Sequence, residues 1–402
     1  MSDPADRRVL VAGGGVAALE AVLTLRELAQ GRLEIVLLSP SPRFDYVPLS
    51  VAEPFDLGRA HRFELRELLR GRGVNMIIDS LERVDPVDHV VHTNGGLNIS
   101  YDALLVAVGA HRRSALPGAI TFSGSRASAD TRNLLRDATA GAVERIAFVV
   151  PSEVTWPLPA YELALMTAAH LAERKVEATL ALVTPEPRPV DVFGARSSAA
   201  VAEMMDLRGV SFHSAVPVYA EPDHLIVEQG EPIPADAVVA LPRIVAPEIP
   251  GLPRDQLGFL PVDDHGRVRD LAGVYAAGDV TSFPLKQGGI ATQQADATAE
   301  AIVADLGGDV RPDPFRPVLR GLLLAGRAPR HLRAEVLRGQ GGPSMAPGGA
   351  IRRPPAKITG RRLGPLLALQ GVSGGPPPET VALELDASWG SDEEEAGGWP
   401  GS

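Results

Sequence analysis

Short apolar runs alternate with amphipathic stretches along most of the chain. Arg8–Ala12 (RVLVA) is apolar after its first residue and is closed by a glycine run, the pattern of a strand buried on both faces. Apolar positions at helical spacing follow from Val16 to Gln30, and Leu33–Leu38 (LEIVLL) is a second strand. Strand, glycine turn, helix and strand make one βαβ unit. Further strands are predicted at Tyr101–Val108, Ile146–Val150, Ala178–Val183 and Ala237–Leu241, with helices over Thr131–Thr139 and Tyr161–Arg174. This alternation predicts an α/β class, with parallel sheets covered by helices on both faces. No apolar run is long enough to span a bilayer, the richest being Leu322-Leu323-Leu324. A strand beginning by Arg8 leaves no room for an apolar leader ahead of it, so the cytoplasm is the expected location.

Two points of punctuation divide the chain: Leu116-Pro117-Gly118, and Glu248–Pro253 (EIPGLP). They suggest a first unit made of residues 1–115 and 246–312, interrupted by a second of similar kind at 116–245. Residues 313–370 form a basic C-terminal segment, with a Gly/Pro-rich loop at 340–355, and 371–402 read as a disordered acidic tail.

The chemistry begins in the first turn. Gly13-x-Gly15-x-x-Ala18 stands between a strand and a helix. Gly13 permits the tight turn, Gly15 lets the backbone approach a pyrophosphate, and Ala18 keeps helix and strand close. The helix N-terminus, from Val16, offers free N–H groups to the phosphates. The acidic residue usual at the end of the second strand is replaced by Leu38-Ser39-Pro40, where Ser39 can offer only a hydroxyl. A second motif, Gly273–Asp279 (GVYAAGD), selects FAD over NAD. Ala277-Gly278-Asp279 follow a short strand, so that the carboxylate can accept from a ribityl chain. The helix expected from about Gly288 aims its N-terminus at the flavin, where charge develops on reduction. The fold class follows: two Rossmann-like dinucleotide-binding domains, the second inserted in the first, plus a short C-terminal segment.

In the inserted unit the corresponding turn is Pro151-Ser152-Glu153-Val154-Thr155-Trp156-Pro157. It has no glycine, and its prolines remove N–H donors, which disfavours ordinary NAD binding there.

Composition narrows the chemistry further. Hydrophobic residues make up 45% and charged residues 22%, as in a globular protein. The 402-residue chain has no cysteine, which excludes disulfides, thiolate metal sites and redox steps run through a protein sulfur. The net charge of -11 is unevenly spread: residues 371–402 hold seven acids and no Lys or Arg, and 315–365 hold eleven basic residues against Glu335. Arg316–Arg338 reads as a strand and helix completing the fold; contact of 315–365 with an anionic membrane is the other expectation. The basic segment lacks interleaved aromatics, so no nucleic-acid partner is expected. The nine histidines show no metal-ligand spacing, His89 and His92 being placed on a surface turn, and no metal is expected.

The chain resembles the two-dinucleotide-fold flavoprotein reductases of the pyridine nucleotide-disulfide oxidoreductase superfamily, and most of all their sulfide:quinone oxidoreductase branch. The likeness spans about residues 8–310 and rests on GGGVAALE (Gly13–Glu20), LLSPSPRFDYVP (Leu37–Pro48), YDALLVAVGA (Tyr101–Ala110), PAYELALM (Pro159–Met166), GVYAAGDV (Gly273–Val280) and PLKQGG (Pro284–Gly289). The resemblance implies Ser39 and Leu81 beside the adenosine, Pro48 and Gly109 along the middle of FAD, and Lys286, with Gln287, at the isoalloxazine. It also implies a cysteine pair for sulfide oxidation, and one of those positions is Trp156 here. An indole cannot hold a persulfide, so sulfide oxidation by that chemistry is excluded. Trp156 is expected either to close the flavin face or to pack as a core residue.

Two side chains are candidates for catalysis. Glu162, in the first turn of its helix, could relay protons to a quinone, or only complement the helix dipole. Lys286 could stabilise negative charge on the reduced flavin. The function read from the sequence is an FAD-dependent oxidoreductase passing electrons from a small-molecule donor, NAD(P)H or another, to a quinone-like acceptor. A homodimer is compatible with this, and the alternative is a non-catalytic, FAD-retaining sensor or scaffold.

Overall fold

The computed structural model describes residues 7–326, 357–358, 360–371 and 379–386. The chain opens with β1 (Arg7–Ala12), α1 (Val16–Ala29), β2 (Leu33–Ser39), β3 (Val74–Ile78) and β4 (Ala103–Val106). It continues with β5 (Ile120–Thr121), α2 (Ser125–Thr139), β6 (Arg145–Val149), α3 (Leu158–Glu173), β7 (Thr179–Thr184), α4 (Gly194–Leu207), β8 (Val210–Ser214) and β9 (Ala237–Ala240). Then come β10 (Val274–Ala276), α5 (Gly288–Asp305), β11 (Val318–Gly326), α6 (Leu363–Leu369) and β12 (Glu379–Asp386).

Two parallel sheets result. The first has the order β10-β4-β1-β2-β3 and the second β5-β9-β6-β7-β8. The alternation read from the sequence is therefore the alternation of the fold. The central strand β1 is dry, with Val9, Leu10 and Val11 at 0% exposure, each such burial stabilising by roughly 1.5–3 kcal/mol. The chain passes between the sheets twice, and the two passages, His111–Arg113 and Arg243–Val245, pair with each other as antiparallel strands. Between β1 and its neighbours the connection reverses direction: β2 lies on one side and β4 on the other. In open α/β sheets that crevice, at the carboxyl ends of the strands, is where ligands bind.

Three expectations need correction. The strand predicted over Tyr101–Val108 is only Ala103–Val106, because the chain leaves the sheet at Ala107, whose N–H still donates to Ala12 O (2.7 Å), and turns at Gly109 (φ 74°). His92 lies within the strand Val90–Thr93 rather than on the turn, while His89 does occupy a turn, at positive φ. Part of the acidic tail is ordered: Glu379–Asp386 pairs antiparallel with β11. Its alternation of Val381, Leu383 and Leu385 with polar or small residues is a strand pattern that the acidic composition masked. The strand expected within Arg316–Arg338 is β11; the helix expected after it, and the loop at 340–355, lie outside the described residues. No helix among the described residues is long and apolar enough to cross a membrane.

Candidate active site

A cavity of about 520 Å³ opens at the carboxyl ends of β1, β4 and β10. Its walls come from the turns that follow those strands, from the start of α3, and from a C-terminal segment carrying Lys357 and Ile358.

The glycines of the first turn divide the work. Gly13 has φ 131° and donates to Leu38 O (2.8 Å). A Cβ there would lie 2.1 Å from Ala107 O, so this glycine belongs to the fold. Gly14 packs on Ser39, whose Oγ would lie 2.3 Å from an added Cβ. Gly15 is different: a Cβ on it would meet no protein atom within 4 Å. Gly14, Gly15 and Val16 line the cavity at the N-terminus of α1, whose cap residue Gly15 makes no side-chain hydrogen bond. Free N–H groups beside bare backbone suit a pyrophosphate. Ala18 is fully buried in the core between helix and sheet, the packing role expected of it.

Across the cavity, Gly278 (φ 82°) donates to Gln294 Oε1 (2.8 Å) and brings Asp279 to the wall. Burial raises the pKa of the Asp279 carboxyl, opposed by the charges of Lys286 and Arg112, and among the described residues no hydrogen bond contributes. A carboxylate at the wall with no donor among the described residues suits ligand hydroxyls, as a ribityl chain would supply. Pro48 and Gly109 also line the wall, and α5 begins at Gly288 beneath it. Gln287 caps that helix, its amide oxygen accepting from Ile290 N–H (2.9 Å) and its NH2 donating to Arg320 O (3.0 Å). These features fit FAD. Ser39 and Leu81 do not line this cavity. The Ser39 hydroxyl is spent on Ser41 O (2.8 Å), and Leu81 begins a strand packed on the opposite core.

Lys286 reaches the cavity with its ammonium 3.7 Å above the Phe259 ring and donating to Thr281 O. Burial pushes it down to about 8, against the pull of Asp279 and Asp255. Glu162 is fully buried; its carboxylate accepts from Lys357 Nζ at both oxygens (2.6 Å each) and from Leu324 N–H (2.9 Å). Burial raises the Glu162 pKa and lowers that of Lys357. The helix-dipole account of Glu162 is thus insufficient, since the carboxylate is tied to a cation and to β11. Trp156 is half-buried: it lines the cavity and packs edge-on against Phe193 (5.9 Å). Lys357 and Arg112 also line the cavity, and nothing in the sequence marks them: one follows a Pro/Gly-rich stretch, the other a histidine.

In the inserted unit, Glu186 stands just beyond β7, where a ribose-binding acid would be placed. It is turned inward instead, accepting from Tyr161 OH (2.7 Å), Thr184 Oγ1 (3.1 Å) and Asp191 N–H (3.1 Å). Its pKa is pushed up to about 7 by burial. Because the folded state holds this proton more tightly than the unfolded chain, stability from this group is lost as pH rises from about 4.5 toward 7. Glu186→Gln is therefore expected to flatten the fall of the urea midpoint between pH 5 and pH 8; a fall as steep as wild type would contradict the assignment.

Among the described residues one metal-like cluster exists, Asp263, Asp264 and His265; it lies outside the cavity wall, and His265 Nδ1 is already paired with Asp264 (2.6 Å).

The family model of the pyridine nucleotide-disulphide oxidoreductases matches residues 7–301, which contain both the glycine turn and the Asp279 turn. The chain belongs to that family. It is an FAD-dependent oxidoreductase. Among known proteins, it is 27% identical to the sulfide-quinone reductase of Aquifex aeolicus, over 79% of this chain and 81% of that protein. It is 29% identical to an NADH dehydrogenase-like protein of Mycobacterium tuberculosis, over 68% of this chain and 73% of that one. In structure it superposes on the Aquifex aeolicus sulfide:quinone oxidoreductase with a TM-score of 0.70 at 23% identity, covering 79% and 81% of the two chains. A ferredoxin reductase from Rhodopseudomonas palustris gives 0.59 at 22% identity, covering 79% and 82%. These likenesses establish the fold.

Proposed function

We propose that this flavoprotein delivers electrons to a quinone and takes them from a donor other than NAD(P)H. The observation that carries the first half is the Glu162–Lys357 pair, buried in the cavity wall beside the apolar Leu322 and Ile358. Quinone reduction consumes two protons with its two electrons, so an acceptor site needs a proton source shielded from water. Bound FAD supplies two-electron storage. Lys357 and Glu162 hold a proton between them, and burial narrows the gap between their affinities for it, so it can move to one acceptor oxygen at the wall, while the second proton would arrive with the two electrons from reduced FAD. Leu322 and Ile358 supply an apolar surface for a quinone ring. With FAD bound in this cavity, Lys286 would hold positive charge near the isoalloxazine and favour its reduced anion.

The second half rests on the inserted unit. The turn Pro151–Pro157 offers neither glycine nor a full set of N–H groups, and Thr155 Oγ1 ties it to Pro284 O (2.8 Å). The acid that would hold a ribose is committed to Tyr161. The names of the relatives support quinone reduction, and the M. tuberculosis relative is called NADH dehydrogenase-like. The donor is therefore tested directly. Anaerobic titration with NADH or NADPH is expected to leave the flavin absorbance unchanged while dithionite bleaches it; stoichiometric bleaching by either nucleotide would overturn the donor assignment. Lys286→Met is expected to lower the flavin midpoint potential by roughly 30 mV, about 1.4 kcal/mol for two electrons. An unchanged potential would remove Lys286 from the site chemistry. Peripheral membrane contact through 315–365 stays an expectation, most of that segment lying outside the described residues.

A further inference from the structure

Lys357 does not belong to either parallel sheet or to their helices; it is carried into the cavity by a short C-terminal segment that ends in α6. That segment is fixed at three places. Ile358 N–H donates to the hydroxyl of the fully buried Tyr46 (3.1 Å). The Ile358 side chain sits on Gly288 at the head of α5, where an added Cβ would lie 2.7 Å from it. The third place is charged. Glu20 of α1, at 0% exposure, accepts N–H bonds from Arg362 (2.7 Å) and Leu363 (2.8 Å). The Arg362 guanidinium joins Asp296 of α5 (2.9 Å) and grips Glu27 of α1 through two bonds (2.9 Å each). Thr24 Oγ1 donates to the same Asp296 oxygen (2.6 Å), and Gly360 passes so close to Glu20 that an added Cβ would lie 2.1 Å from its carboxylate.

Glu20 and Asp296 are two carboxylates on α1 and α5, helices whose buried positions are mostly alanine, valine, leucine, isoleucine and threonine. Well-packed apolar residues would serve the contact at least as well, whereas buried charge selects one partner and one register. Arg362 and the two N–H groups beside it are that partner. We propose that Glu20 and Asp296 form a latch for Arg362 that sets Lys357 against Glu162, making Arg362 a positioning residue for the proton-holding pair. The inference rests on the quinone-reductase reading for its consequence, but not for its geometry.

The test uses the full-length, FAD-loaded protein and two readouts. One is hydrogen exchange at the Leu324 amide, which donates to Glu162 and so reports on the pair without any acceptor. The other is reoxidation of dithionite-reduced protein by a short-chain soluble quinone. In Arg362→Gln, with FAD content unchanged, Leu324 exchange should quicken and reoxidation should slow, each by roughly tenfold, since small misplacements of a reacting group cost that much or more. Glu20→Gln keeps one acceptor oxygen and should show the same pattern more weakly, which serves if Arg362→Gln does not fold. Faster exchange confined to residues 360–371, with Leu324 exchange and reoxidation as in wild type, would make the latch a mere anchor for α6 and overturn the proposal. If wild type itself is not reoxidised by the quinone, the acceptor reading fails, and the latch stands or falls on Leu324 exchange alone.

Discussion

Replacing Gly15 with valine is expected to leave a folded protein that no longer holds FAD. Gly15 has an ordinary extended backbone (φ -92°, ψ -168°), open to any L residue, and a Cβ there meets no protein atom within 4 Å. Stability of the flavin-free protein should therefore change by no more than about 0.5 kcal/mol. The new side chain instead fills the space beside the free N–H groups of α1, where a pyrophosphate must sit. FAD affinity should fall by at least roughly a hundredfold, about 2.7 kcal/mol. Gly13→Val is the contrast: positive φ and the Ala107 carbonyl 2.1 Å away mean that the fold itself must give. Urea denaturation and fluorescence titration with FAD check both. Wild-type affinity in Gly15→Val would place the cofactor elsewhere.

The second large effect concerns the buried ion pair. Lys357→Met should destabilise the protein by about 3–5 kcal/mol at neutral pH, because it leaves the buried Glu162 carboxylate with the Leu324 N–H as its one remaining partner among the described residues. The loss should depend on pH. The pKa of Glu162 is raised in the folded state, so below the unfolded value of 4.5 the carboxyl is neutral in both states and its burial costs little. As pH rises through that value the cost grows, until the folded group ionises as well. Lys357→Met should thus stand near wild type at pH 4 and fall furthest behind above pH 7, and adding Glu162→Gln should recover most of the loss. A deficit independent of pH, not relieved by the second change, would show that Lys357 contributes packing rather than charge.

The division between what the sequence disclosed and what it concealed has a physical basis. Continuous apolar runs at Arg8–Ala12 and Leu33–Leu38, with glycines between them and a helix, specify a βαβ unit through local geometry alone. The turn ending in Gly278 and Asp279 was legible for the same reason. Contacts between residues far apart in the chain carry no such signature. Lys357 meets Glu162 across 195 positions and Arg362 meets Glu27 across 335, and a lone Lys in PAKITG says nothing of either. Glu20 shows the limit clearly: the sequence gives no partner for an acid set among apolar helix residues, yet it is buried because a distant segment brings it two N–H groups. Ser39 does end β2, and its hydroxyl donates to Ser41 O, a local bond that the strand pattern does not disclose. In β12 the acidic composition outweighed an alternation that was present in the sequence all along.

The central claim is that a flavin held in this cavity passes its electrons to a quinone, and stopped-flow absorbance tests it most directly. The protein is loaded with FAD, reduced with one equivalent of dithionite without oxygen, and mixed with a short-chain soluble quinone. The account predicts rapid return of the oxidised flavin spectrum, one quinone consumed per flavin, slowed in Lys357→Met. A flavin that stays bleached through many equivalents of quinone would contradict it and leave a protein that holds FAD without passing electrons on to this acceptor.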